Sequence, residues 1–297
     1  MNHFLSIEAC RQKEILGLVE SAGSFKADRH HGAELLAGQT WVLIFSKPST
    51  RTRISFEVGL RELGARVLFL AQNDIQLGRG EPIKDTARVL GRMVHGAVIR
   101  TFSQRDVEDF ASFSHLPTIN ALTDEEHPCQ VIADLFTISE RRELQDIKVC
   151  FVGDGDCNVA RSWAWAAEHL GFELRIAAPA KYALSEAVRS KFKSRKILLT
   201  ESPEEAAAEA DVLYTDVWVS MGKEAEMQER LAEFAPYQIN ERLLRVARPG
   251  ALVMHCLPAY RGKEITETVF EAHADTIFEQ AENRLHAQKA IVSTLVQ

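Results

Sequence analysis

Residues 41–70, WVLIFSKPSTRTRISFEVGLRELGARVLFL, limit the possible folds more than any other stretch of this chain. Trp41 to Phe45 is an unbroken apolar run of strand length, and Val67 to Leu70 is a second. Between them a helical pattern carries Ile54, Val58 and Leu63 on one side and stops at Gly64. Strand, polar turn, helix and strand make one βαβ unit, the building block of parallel sheets covered by helices. The turn is Ser49-Thr50-Arg51-Thr52-Arg53, where the strand ends and the helix begins. Unpaired backbone N–H groups and the positive end of the helix dipole make this position an anion site before any side chain is counted. Three hydroxyls and two guanidinium groups then converge on it, a set suited to a phosphate dianion rather than a single carboxylate. The plainer alternative is a helix cap flanked by solvated arginines, but two arginines in five residues are more than a cap needs. GxxxxGK[ST] is absent, so ATP is not the favoured ligand.

The downstream chain repeats this plan. Residues 7–22 read as an amphipathic helix with Ser6 as its cap and Ile7, Ile15, Leu18 and Val19 apolar. After the second strand a polar loop, NDIQLGRGEP, leads to a helix opened by Pro82. Gly96 to Ile99 is a short strand delivering Arg100 at its carboxyl end, the edge at which open α/β sheets bind ligands. Leu116 to Ala121 gives another strand; Pro128 then opens a helix and leaves His127 at the mouth of the site. The charged segment 139–146 marks a domain boundary.

A second βαβ unit follows directly: Lys148 to Val152, GDGDCN, a helix closed by Gly171, and Leu174 to Ala178. It invites a dinucleotide reading, but GxGxxG would require glycine where Asn158 stands, and the second strand supplies no acid for a ribose. A nicotinamide-dependent oxidoreductase is therefore the weaker alternative. Residues 180–210 read as outer-layer helices, and Asp211 to Thr215 is a strand that delivers Asp216 and a Ser220-Met221-Gly222 loop. A Pro249-Gly250 turn leads into strand Ala251 to Met254, followed by His255 and Cys256. A zinc site joining these to His127 and Cys129 is disfavoured. Adjacent strand residues point to opposite faces, and neither pair has metal-ligand spacing. The last helix, 280–297, offers Leu285, Ala290, Val292 and Leu295 for packing.

At 297 residues the chain has room for two domains of roughly 150 each. A net charge of -7 argues against a nucleic-acid partner. No apolar run approaches the ~18 residues of a membrane span, and the N-terminal stretch has no signal-peptide pattern. Five cysteines with no CxxC pair read as reduced thiols, which together point to a cytoplasmic enzyme.

PSTRTR at 48–53 closely resembles the carbamoyl-phosphate loop of the aspartate/ornithine carbamoyltransferase family. Four further motifs follow in the family's order: QLGRGE at 76–81, HPCQ at 127–130, DVWVSMG at 216–222 and HCLPAYRG at 255–262. The last two resemble the ornithine branch. The resemblance implies an α/β fold of two Rossmann-like, doubly wound domains. Residues 1–138 would bind carbamoyl phosphate and 139–279 ornithine, with helix 280–297 packing back on the first domain. It implies transfer of the carbamoyl group to the side-chain amine of L-ornithine, giving L-citrulline and phosphate in arginine metabolism, with no metal or organic cofactor. By the same resemblance, Ser49, Thr50, Arg51 and Thr52 hold the phosphate, and Gln76 reaches the site of a neighbouring subunit in a trimer or an assembly of trimers. Arg53 supports the loop. Thr52, Arg100 and His127 polarise the carbonyl; Gln130, the Cys256 and Leu257 carbonyls and Arg284 orient the carbamoyl NH2. Asn158, Asp216, Ser220 and Met221 bind ornithine, and Cys256 with Asp216 positions its amine. Two positions depart from the family pattern: Cys157 stands where relatives have asparagine, and Ser46 where they often have glutamate. A related transferase acting on putrescine or an N-acylated ornithine is the closest alternative.

Overall fold

The chain runs through two parallel sheets, and a computed structural model describes residues 1–71, 80–219 and 224–297. Gln76, Ser220 and Met221 lie outside the described residues. The described residues divide into two units: Met1–Phe136 with Glu282–Gln297, and Thr137–Ala281.

In the first unit, α1 (Gln12–Ala27) precedes β1 (Thr40–Phe45), α2 (Thr50–Glu62), β2 (Arg66–Ala71) and α3 (Ile83–Leu90). Then come β3 (Gly96–Arg100), α4 (Gln104–Ser114), β4 (Thr118–Leu122) and α5 (Pro128–Ser139). The sheet order is β2-β1-β3-β4, with every pair parallel. Central strands β1 and β3 are buried on both faces, which is why they read as unbroken apolar runs rather than alternating ones. Register places Phe45 of β1 beside Arg100 of β3, and the Ser46 N–H donates to the Arg100 carbonyl at 2.8 Å. The bend at 49–53 and Arg100 therefore leave the sheet at the same edge. Gly64 turns the chain from α2 to β2 with φ +94°, where a Cβ would meet the Ala33 carbonyl oxygen at 2.8 Å; only glycine fits both demands.

Helices α1 and α2 differ from their sequence-based expectation. The first starts at Gln12, not at residue 7. The Arg11 N–H donates to the Glu14 carboxylate at 2.8 Å, closing the helix start, while the amides of Ile7 and Glu8 are taken by Glu126 at 2.9 and 3.2 Å. Helix α2 buries Thr52, Phe56, Gly59 and Leu60, and Ile54 is 56% exposed. Spacings of four, three and one put the core stripe one face away from the one read from Ile54 and Val58.

The second unit holds β5 (Lys148–Val152), α6 (Asn158–Leu170), β6 (Glu173–Ala177), the short α7 (Glu186–Arg189), β7 (Ile197–Thr200) and α8 (Pro203–Ala207). It continues through β8 (Val212–Thr215), α9 (Met227–Phe234), α10 (Glu241–Val246), β9 (Leu252–His255) and α11 (Glu267–Ala272). All pairs in the order β7-β6-β5-β8-β9 are parallel. Strand β7 replaces part of what reads as a helical outer layer: ILLT pairs along β6 as an edge strand, and Leu198 is 45% exposed. The last helix, α12 (Ala274–Val296), begins six residues before the expected start; its residues from 282 onward belong to the first unit.

Candidate active site

Ser49 caps α2. Its Oγ accepts from the Thr52 N–H at 3.3 Å, which leaves Thr50 exposed and Arg51 half-buried at the helix start. Thr52 is buried, and its hydroxyl oxygen accepts from Arg284 Nη2 at 2.7 Å, a contact spanning 232 positions of sequence. Arg53 is engaged elsewhere: its guanidinium lies 3.7 Å from the Phe69 ring centroid and 3.5 Å from Glu57, as befits a residue that supports the bend. Arg100, His127 and Arg284 are each buried. Burial holds the His127 pKa well below its usual value, and the positive charges of Arg284 and Arg100 lower it further. A neutral imidazole beside two guanidinium groups is an electropositive pocket still able to offer a hydrogen bond. Gln130 lies in the first turn of α5 and donates to Asp134 at 2.8 Å.

Lys47 was not singled out from the sequence. It is buried, pairs with Asp124 and lies 4.3 Å from the Phe102 ring centroid, bracing the segment that enters the bend. Its burial has no sequence signature, because a lysine beside a proline ordinarily reads as solvated. Cys129 is core: its thiol donates to the Asn120 carbonyl at 3.3 Å, and burial pushes its pKa up to about 12.

In the second unit, Cys256 Sγ donates to Asp216 Oδ1 at 2.9 Å. Desolvation raises the Asp216 pKa against the opposing pulls of His255 and of the Cys256 hydrogen bond. Asn158 opens α6, whose N-cap is Cys157; the Cys157 sulfur accepts from the Ala160 N–H at 3.5 Å, so the unusual cysteine does a weak version of a cap's work. Burial raises the Cys157 pKa well above the ordinary thiol value, and the charges of Asp154 and Asp216 add to the effect, so it stays protonated. Leu257 adopts φ +58° and its N–H donates to His255 Nδ1 at 2.8 Å, while His255 Nε2 meets Glu264 Oε1 at 3.1 Å. The imidazole thus fixes the direction of the backbone at 256–257.

Asp216, His255 and Cys256 bring their ligand atoms within 4.8 Å of one another. This corrects the expectation that neighbours 255 and 256 diverge. Strand alternation ends with β9 at His255, and the left-handed Leu257 turns the chain back. The donor set is nonetheless engaged in hydrogen bonds: the imidazole nitrogens meet the Leu257 N–H and Glu264, and the Cys256 thiol donates to Asp216 Oδ1. Arg230 is another residue sequence reasoning missed. Fully buried, it donates to the Trp218 carbonyl at 2.6 Å, pairs with Asp154 and lies 4.6 Å from the Tyr182 ring centroid. It ties α9 and the end of the β8 segment to the loop before α6.

Taken singly, each unit is a parallel α/β layer with its polar residues at the carboxyl edge of the strands, the first gathering hydroxyls, arginines and a histidine and the second presenting a carboxylate and a thiol. That defines the class as a two-unit, doubly wound α/β protein. The aspartate/ornithine carbamoyltransferase models match both halves, the carbamoyl-P binding domain over residues 2–140 and the Asp/Orn binding domain over 145–295, and the chain belongs to this family. It is 58% identical to an ornithine carbamoyltransferase of Akkermansia muciniphila, over 99% of this chain and 98% of the relative. A second, from Campylobacter fetus, is 48% identical over 98% and 97%. Among solved structures, the anabolic ornithine carbamoyltransferase of Campylobacter jejuni superposes with a TM-score of 0.94 at 44% identity, over 99% of both chains. That of Pyrococcus furiosus gives 0.91 at 43% identity, over 98% of this chain and 96% of the other.

Proposed function

We propose that this chain is a carbamoyltransferase that moves the carbamoyl group of carbamoyl phosphate onto the side-chain amine of L-ornithine, releasing L-citrulline and phosphate. The observation that carries the reading is the set Thr52, Arg284, Arg100 and neutral His127, positive charge and hydrogen-bond donors gathered beside a capped helix start. The names of relatives up to 58% identical over the full chain specify the amine.

The roles follow from where charge moves. As the amine attacks, the carbonyl oxygen gains negative charge and the phosphate leaves as a dianion, so catalysis needs fixed donors at both places. In this reading Ser49, Thr50, Arg51 and Thr52 take the phosphate, with Gln76 from a neighbouring subunit, and Thr52, Arg100 and His127 face the carbonyl oxygen. Gln130, Arg284 and the Cys256 and Leu257 carbonyls orient the carbamoyl NH2. Asn158, Asp216, Ser220 and Met221 hold ornithine, whose amine, of solution pKa ~10, must react in its neutral form. Asp216 and Cys256 position that amine, and the carbonyl carbon is already activated by its phosphate, so direct attack suffices. Residues 1–138 form the carbamoyl-phosphate domain, 139–279 the ornithine domain and 280–297 the helix joined to the first. A homotrimer, a cytoplasmic location and a place in arginine metabolism complete the proposal. No helix among the described residues is long and apolar enough to cross a membrane.

Steady-state citrulline formation tests the reading. With carbamoyl phosphate fixed, kcat/KM for L-ornithine should exceed that for putrescine or N-acetylornithine by at least about 100-fold. Faster use of either competitor would reassign the substrate.

A further inference from the structure

Gln130 and Asp134 lie one helical turn apart on α5, with only 1% and 0% of their surfaces exposed, and Gln130 Nε2 meets Asp134 Oδ1 at 2.8 Å. Such i,i+4 pairs on a solvated face serve mainly the helix. This one is fully buried, and the Gln130 N–H donates to the His127 carbonyl at 3.1 Å, one turn from the residue assigned above to the carbonyl oxygen. An amide can be turned through half a circle with its oxygen and nitrogen exchanged, at little steric cost. A carboxylate removes that freedom, because it only accepts hydrogen bonds and so draws the NH2 end towards itself. The opposite end, Gln130 Oε1, is buried and has no hydrogen-bond partner among the described residues. The amide is thus held as a one-sided reader that welcomes a donor and disfavours an acceptor.

The two ends of a carbamoyl group differ in this respect. Its C=O accepts, and Thr52, Arg100 and His127 offer donors; its NH2 donates, and needs an acceptor. We infer that Asp134 is a positioning and specificity-determining residue that, by holding Gln130 Nε2, presents Gln130 Oε1 to the carbamoyl NH2. The inference rests on the carbamoyl-phosphate reading of this site. It extends that reading to a discrimination: acetyl phosphate carries a methyl group in place of the NH2, fits the same phosphate and carbonyl contacts, and leaves Oε1 buried without a donor.

Calorimetric titration of carbamoyl phosphate and of acetyl phosphate into the intact protein and into Asp134→Asn tests this. The variant side chain has nearly the same shape but can donate to Oε1 and so permits the reversed amide. Carbamoyl phosphate should bind about tenfold more weakly, the worth of one hydrogen bond, while acetyl phosphate should change by less than about twofold. In a Gln130→Met background the Asp134→Asn change should leave the ratio of the two affinities untouched, since Asp134 acts through Gln130. An unchanged ratio in the single variant, or equal weakening of both ligands, would overturn the inference while leaving the carbamoyl-phosphate reading standing. Failure of the wild type to bind carbamoyl phosphate would overturn both. Should Asp134→Asn fail to fold, neutron diffraction from deuterated wild-type crystals decides: deuterons on the Gln130 atom facing Asp134 support the assignment, and a bare oxygen there refutes it.

Discussion

His127 is buried under the charges of Arg284 and Arg100, and its pKa lies well below the ordinary 6.5 as a result. As pH falls through about 6.5 the unfolded chain takes up a proton here that the folded chain refuses, so folding loses free energy from this residue on the acid side and none above it. Urea midpoints measured at about pH 8 and about pH 5 should therefore fall less in His127→Gln than in wild type. Equal falls would mean that the imidazole is not held neutral. In the proposed mechanism the same neutrality would let His127 offer an N–H to the carbonyl oxygen without adding a third positive charge. The Cys256 thiol, by contrast, donates to Asp216 Oδ1 at 2.9 Å.

At the scale of elements, the parallel sheet of the first unit sets where these residues emerge. Gly96 opens β3 opposite Trp41 of β1, and a Cβ there would stand 2.6 Å from the buried indole. Gly96→Ala should destabilise by about 1–3 kcal/mol in denaturant titrations, because the ring has no room to withdraw; wild-type stability would show that the strand pair is looser than this packing. The strands were readable because runs such as WVLIF and GAVI are buried on both faces, and the cap at Ser49 because serine, a helix start and arginines occur together. The buried face of α2 was misread at Ile54, since apolar residues lie on two faces of that helix and only packing chooses between them. Edge strand β7 was missed because ILLT is short and follows a lysine-rich stretch that reads as a solvated helix.

For the whole molecule, long-range assembly is what the linear pattern hides. Arg284 reaches Thr52 because α12 carries the end of the chain into the first unit, and Lys289 on the same helix, fully buried, donates to the Arg29 carbonyl at 2.6 Å and pairs with Glu62. Periodicity announces such a helix but not its partner; only the family resemblance pointed to Arg284. The same holds for Arg230 and Lys47, charged residues whose burial depends on carboxylates and carbonyls distant in sequence. The account as a whole stands on the bend at 49–52 being a dianion site, and titration of carbamoyl phosphate in the absence of ornithine tests that most directly. Arg51→Ala should weaken binding at least about 100-fold, whereas Arg53→Ala, which removes an equal charge engaged with Phe69 and Glu57, should stay within about threefold of wild type. Wild-type affinity in Arg51→Ala, or equal losses in both variants, would contradict it.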